Sequence, residues 1–193
     1  MLSYKDSLKI LKKTNALLEG HFILSSGLRS DKYIQCAQLL SKPKKSIEIC
    51  KSLSRKIKKK FKKIDLILSP AIGGIVIGYE IGRNLNIETI FAERSNGKFK
   101  LRRGFNIERK QKVLIVEDVI TTGKSSLECS KLVSKVGAKI IGYACIIDRS
   151  NGKSKINSKI LSHIKIQIPT FKKNNLPDHL KKIKPTKPGS RNI

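Results

Sequence analysis

Hydrophobic and polar positions along this chain fall into blocks whose period changes. Between Ser3 and Leu18 the apolar residues Leu8, Leu11 and Leu18 lie at helical intervals, which predicts an amphipathic helix stopped by Gly20. A turn-rich stretch, HFILSSGLRSDKYIQCAQLL, follows, and a strand is expected near Tyr33–Ala37. Pro43 opens a second helix reaching about Lys60, because Ile49, Leu53, Ile57 and Phe61 step by four along one face. The period then shortens. Short apolar runs at Leu66–Leu68, Thr89–Ala92, Val113–Val116 and Lys139–Ile147 read as strands, with helices after Gly73-Gly74 and from Gly123 to about Val136. Strands alternating with helices predict an α/β fold in which a mostly parallel sheet is covered by helices on both faces.

Composition narrows this picture without redirecting it. A chain of 193 residues with 39% hydrophobic residues can form one domain with its own core, so wholesale disorder is not expected. The longest apolar run, Leu66 to Tyr79, contains Pro70 and three glycines and falls short of the roughly 18–20 residues that span a bilayer. With charged residues throughout the first helix, no signal peptide is visible and a cytoplasmic protein is expected. Cys36, Cys50, Cys129 and Cys145 are widely spaced, as are His21, His163 and His179, so neither a disulfide framework nor a zinc site is indicated. The net charge of +28 permits a polyanionic partner. Most of it is lysine among abundant Ile and Asn, and RKIKKKFKK (55–63) reads as the solvated side of an amphipathic helix, so neither nucleic acid nor membrane is expected to bind.

Chemistry concentrates in VLIVEDVITTGKSS, residues 113–126: an apolar strand, the acids Glu117 and Asp118, then a Thr-Thr-Gly-Lys-Ser turn entering a helix. In open α/β sheets ligands bind beyond the carboxyl ends of strands, where the acid pair would lie. The turn adds backbone N–H groups, hydroxyls and a helix N-terminus, which together suit a phosphate. Acids beside a phosphate cradle suit a ribose phosphate. A Walker A loop is excluded, since the glycine it needs five residues before Gly123 is Asp118.

Residues 113–125 resemble the phosphoribosyl pyrophosphate (PRPP) motif of the type I phosphoribosyltransferase family. Further segments resemble the orotate branch of that family: HFILSSGLRSDKY (21–33) its orotate-side segment, SPAIGGIVIG (69–78) its pyrophosphate loop, FAERSNGKFKLRRGF (91–105) its flexible loop and KPGSR (187–191) its tail. The resemblance implies a single type I phosphoribosyltransferase domain over 1–193. Residues 1–40 and the C-terminal part would form a small hood, with a basic tail at 171–193. Within that tail PTKPGSRNI (185–193) is expected to lie extended on the surface, since Pro185 and Pro188 forbid a regular helix. The resemblance also implies a homodimer that transfers ribose 5-phosphate from PRPP to orotate with Mg²⁺. The metal would be bound mainly through PRPP, near Glu117 and Asp118, with no certain direct protein ligand.

By the same resemblance PRPP meets Glu117, Asp118, Val119, Ile120, Thr121, Thr122, Gly123, Lys124 and Ser125, together with Ile72 and Gly73 of the pyrophosphate loop. Thr121, Arg149, Ser25 and Tyr33 match orotate-side positions. Ser25 stands where many relatives carry a lysine, so Lys32, Arg29 or a backbone group is left to compensate. Beside Glu117 and Asp118, the basic residues Arg94, Lys98, Lys100 and Arg102 are the catalytic candidates, and the flexible loop lacks the family's Lys-x-x-Lys-x-His pattern. Gly74, Gly78 and Gly82 recur every fourth residue and suit close helix packing, whereas Gly73 suits ligand approach. A purine-type phosphoribosyltransferase and a PRPP-sensing nucleic-acid-binding regulator are the alternatives.

Overall fold

The computed structural model describes residues 1–24 and 26–188. Helix α1 (Tyr4–Lys13) starts at Ser3, whose side chain accepts from the Asp6 N–H, and buries Ile10 and Leu11. It ends earlier than the predicted Leu18. Thr14 closes it, Asn15 takes a left-handed conformation at φ 59°, and the chain enters strand β1 (Leu17–Ile23). Asparagine tolerates that conformation, so it ends a helix nearly as well as glycine does. Gly20 therefore lies inside a strand, where the pairing register shifts between Glu19 and Phe22.

Strand β1 pairs antiparallel with β2 (Arg29–Ile34) in a separate two-stranded sheet. The predicted Tyr33–Ala37 strand thus begins and ends earlier, because Cys36 opens the short helix α2 (Cys36–Leu40). Helix α3 (Pro43–Lys60) matches its predicted span, with Ile49, Leu53 and Ile57 fully buried and Lys58, Lys59 and Lys60 exposed. Each buried side chain contributes roughly 1.5–3 kcal/mol, against a few tenths for each like-charged neighbour on the outer face, so packing decides the helix.

The main sheet comprises β3 (Leu66–Pro70), β4 (Thr89–Ser95), β5 (Lys98–Leu101), β6 (Lys112–Ile120), β7 (Lys139–Asp148) and β8 (Ile160–Lys165), in the order β5-β4-β3-β6-β7-β8. All neighbours are parallel except β5, which folds back on β4 across Asn96-Gly97. Both turn residues have positive φ, 51° and 75°, the pattern of a tight hairpin turn. Alternate residues face opposite layers. Ile67, Leu114 and Val116 pack with α3 and with α4 (Gly73–Leu85), while Leu66, Leu68, Val113 and Ile115 pack with α5 (Lys124–Lys135) through Cys129 and Val133. Burial on both faces explains why these strands read as continuous apolar runs.

The C-terminal segment is tied back to the first sheet, and within it residues 185–188 form no helix and are largely exposed. Phe171 exchanges backbone hydrogen bonds with Arg29, the Thr186 N–H donates to the His21 carbonyl, and the short helix α6 (Asp178–Lys181) buries Leu180. His21 Nδ1 donates to the Ile183 carbonyl at 3.0 Å, a structural role. The far end of the chain thereby joins the β1–β2 sheet. Residues 189–191 of the KPGSR motif lie outside the described residues.

Candidate active site

The chain runs from β3 outward to β4 on one side and returns to β6 on the other. That reversal opens a crevice beyond the carboxyl ends of β3 and β6, the usual ligand position in such sheets. Gly73 comes from the β3 side and Asp118 from the β6 side. A Cβ at residue 73 would lie 2.9 Å from both Asp118 carboxylate oxygens, so the acid rests directly on the glycine loop. Behind Gly73, a Cβ at Gly78 would fall 2.1 Å from Ser69 Oγ and one at Gly82 would fall 2.0 Å from Thr89 Oγ1. The later glycines therefore seat α4 on the sheet, as their spacing predicts. Ile72 projects into solvent, 86% exposed.

Both acids are largely enclosed. Asp118 Oδ1 accepts from the Val119 N–H at 2.9 Å, and burial raises its carboxyl above the usual range. Glu117 accepts a short hydrogen bond from Ser126 Oγ; burial, reinforced by Asp118, pushes it up to about 7. Near neutrality Glu117 can therefore donate to a sugar hydroxyl as well as accept from one. Ser126 escaped sequence reasoning because its role depends on the first turn of α5 turning it back towards β6, and spacing alone does not reveal that.

Beyond the acids, Val119 packs on the core and Ile120 is buried, so those two can offer a ligand backbone groups only. Thr121, Thr122 and Lys124 are exposed and Ser125 half-buried at the start of α5. Gly123 is left-handed at φ 76°, and a Cβ there would meet Ile156 and Ser154 at 2.7 Å, so no other residue fits this turn. Its N-cap position supplies no side-chain hydrogen bond, and Thr122 Oγ1 accepts only a long one, at 3.4 Å, from the Lys124 N–H, so the Ser125 and Ser126 amides have no side-chain cap among the described residues. Such a helix end attracts anions.

Arg149 follows β7, anchored by its N–H to the Ile120 carbonyl at 2.8 Å. Its guanidinium is half-buried, its Nε has no partner among the described residues, and burial lowers its pKa. A weaker electrostatic influence of the Tyr33 hydroxyl acts on it in the opposite direction. Tyr33 also lies against Phe22, with ring centroids 5.8 Å apart. Cys36 Sγ stands 4.0 Å from the Asp118 carbonyl oxygen. The β1–β2 sheet thus caps the tips of β6 and β7. Ser25 lies outside the described residues.

The basic hairpin is formed by β4 and β5 at one edge of the main sheet. Arg94 stacks over Phe99 at 4.3 Å, donates to the Gly97 carbonyl, and places Nη2 2.7 Å from Glu128 Oε2 of α5, a close charge contact without hydrogen-bond alignment. Arg103 pairs with Glu93, with Arg102 at 3.9 Å from the same carboxylate. Lys98 and Lys100 are exposed. Arg94 and Arg102 are therefore tied to local acids, whereas at the tip of β6 Glu117 turns to Ser126 of α5 and Asp118 turns to Gly73 of α4.

Among the described residues no group of three or more His, Cys, Asp or Glu could hold a metal. Two adjacent carboxylates and nearby hydroxyls fit a hard cation that takes most of its oxygens from a bound diphosphate.

Residues 37–182 match the phosphoribosyl transferase domain family. An orotate phosphoribosyltransferase of Parvibaculum lavamentivorans is 46% identical over 97% of this chain and 99% of its own length. In fold, the crystal structure of orotate phosphoribosyltransferase from Aeropyrum pernix superposes with a TM-score of 0.72 at 23% identity, covering 82% of this chain and 92% of that one. An adenine phosphoribosyltransferase from Thermoanaerobacter pseudethanolicus reaches 0.62 at 19% identity, covering 70% and 88%. The architecture is thus shared with purine enzymes, whereas the close sequence relationship is specific. On that relationship, extending over nearly its whole length, this chain belongs to the orotate phosphoribosyltransferase family.

Proposed function

We propose that this protein transfers ribose 5-phosphate from PRPP to N1 of orotate, yielding orotidine 5′-monophosphate and pyrophosphate in de novo pyrimidine synthesis. The observation that carries the reading is the crevice where Asp118 rests on Gly73 beside the glycine-capped start of α5. It offers acids for hydroxyls, small residues for a diphosphate and amides for a terminal phosphate within one cleft.

Positive charge grows at the anomeric carbon as pyrophosphate leaves, so fixed charges and positioning do most of the work. Glu117 and Asp118 hold the ribose hydroxyls, with Glu117 oriented by Ser126. The backbone and hydroxyls of Thr121–Ser125 hold the 5′-phosphate, and Ile72-Gly73 lets the diphosphate approach the backbone. Arg149, Thr121 and Tyr33 face orotate, and the half-desolvated Arg149 guanidinium suits its carboxylate. The hairpin carrying Arg94, Lys98, Lys100 and Arg102 supplies positive charge that closes over the diphosphate and excludes water. Glu117 and Asp118 would hold Mg²⁺ near the sugar, and the ion would supply charge neutralisation for the diphosphate.

Ile72, Val76 and Tyr79 form an exposed apolar stripe on one face of α4, 86%, 47% and 64% exposed, which supports a homodimer with a second copy covering it. No helix among the described residues is long and apolar enough to cross a membrane. We place the protein in the cytoplasm and assign it no nucleic-acid partner.

Steady-state assays with PRPP and Mg²⁺ should show pyrophosphate release with orotate and none with adenine, hypoxanthine or xanthine. Because the fold is shared with an adenine enzyme, turnover of a purine in place of orotate is the result that would replace this reading.

A further inference from the structure

Buried polar atoms without partners gather on one strand of the capping sheet. On β2, Arg29, Asp31 and Tyr33 occupy alternate positions and therefore share a face. Among the described residues, Arg29 Nε and Nη1 and Asp31 Oδ1 are buried and make no hydrogen bond, not even with each other. Buried donors and acceptors are nearly always satisfied, so three such atoms on one short strand mark a place where something else completes them.

The surroundings say where that place is. Cys36, two residues past the end of β2, places its Sγ 4.0 Å from the Asp118 carbonyl oxygen, so this end of the capping sheet lies over the tip of β6. The face fronts the crevice between the cap and the tips of β6 and β7. Arg29 is also rigidly mounted. Its N–H and carbonyl both bond to Phe171 at 2.8 Å, and the next residue, Ser30, donates from Oγ to the Pro169 carbonyl at 3.1 Å. Lys32, by contrast, holds its ammonium 3.8 Å from the outer Asp31 oxygen.

We propose that Arg29 and Asp31 read the imide edge of the pyrimidine. Arg29 donates to a ring carbonyl oxygen and Asp31 accepts from the neighbouring ring N–H, while Arg149 takes the ring carboxylate. The assignment rests on the orotate reading above. It names the residues by which the cap recognises the base, and it selects Arg29 over Lys32.

Steady-state kinetics of the full-length protein with orotate and PRPP varied separately test this. Losing a hydrogen bond from a charged group should raise the orotate KM about 10- to 100-fold in Arg29→Gln, with partial recovery in Arg29→Lys and the PRPP KM unmoved. Asp31→Asn, nearly isosteric and so safe for folding, should raise the orotate KM about 10-fold. An unaltered orotate KM in either folded variant, or equal rises for both substrates, would overturn the proposal. Wild-type protein without orotate turnover would remove the function itself, whereas an active wild type with unaffected variants would remove only this contact.

Discussion

Asp118 is confined by its neighbours to a degree that makes it a sharp probe. Its carboxylate leaves no room for a side chain at Gly73 and takes one hydrogen bond from the adjacent amide. Asp118→Asn keeps the shape and removes the charge, so the fold should persist while kcat falls on the order of 100-fold, comparable to losing one preorganised electrostatic contact. Pre-steady-state and steady-state rates beside a thermal melt would check this; full activity would disprove the ribose-hydroxyl role. At this scale the acid pair was legible in the sequence because strand, acids and turn are contiguous there, whereas Arg149, farther along the chain, was named only through the family resemblance. Ser126 was not legible, because its contact with Glu117 needs the helix start to fold back. Arg29 could be named but not chosen over Lys32 until burial was known.

Among elements, α4 shows how small residues set a geometry. Gly82 faces the Ile87 carbonyl, which a Cβ would approach to 2.7 Å, as well as Thr89 Oγ1. A backbone carbonyl cannot step aside as a flexible side chain can. Gly82→Ala should therefore destabilise the protein by about 1–3 kcal/mol, despite the ~1 kcal/mol helical advantage of alanine. Urea unfolding measures the difference, and a stabilised variant would show that helix and sheet are less tightly apposed. Helices and buried strands with long apolar patterns were readable, α3 to its ends. The end of α1 was misread because Asn15, not Gly20, takes the left-handed position. Strand β8 was missed because ILSHIK, on the sheet edge, mixes polar residues into a half-buried pattern.

Across the whole molecule, the parallel core follows from the sequence order of strands and helices, whereas the cap does not. It depends on Phe171 and Thr186 returning to strands near the other end of the chain, and no local pattern carries such pairings. His163 performs a similar long-range task for stability. Its Nε2 lies 2.8 Å from Ser7 Oγ of α1; Ser7 already donates to the Ser3 carbonyl, so the ring nitrogen carries the proton. Lys56 of α3 donates to the His163 carbonyl at 2.7 Å. Burial, aided by Lys56, lowers the His163 pKa from 6.5 to about 4, so the native state prefers the neutral ring. That preference stabilises the fold fully above the unfolded value near 6.5 and is lost as pH falls through about 4, a difference of ~3 kcal/mol. His163→Gln should flatten the loss of stability between those pH values, as read from denaturant midpoints; an unchanged acid limb would contradict it.

All four cysteines are buried, and burial drives the Cys36 and Cys145 thiols far from ionisation. A native protein with such thiols is nearly silent towards maleimides, which attack thiolates at the surface. One cysteine introduced at exposed Lys98 would then carry a fluorophore alone, and the hairpin's movement during turnover could be followed without first stripping the molecule of its own sulfur.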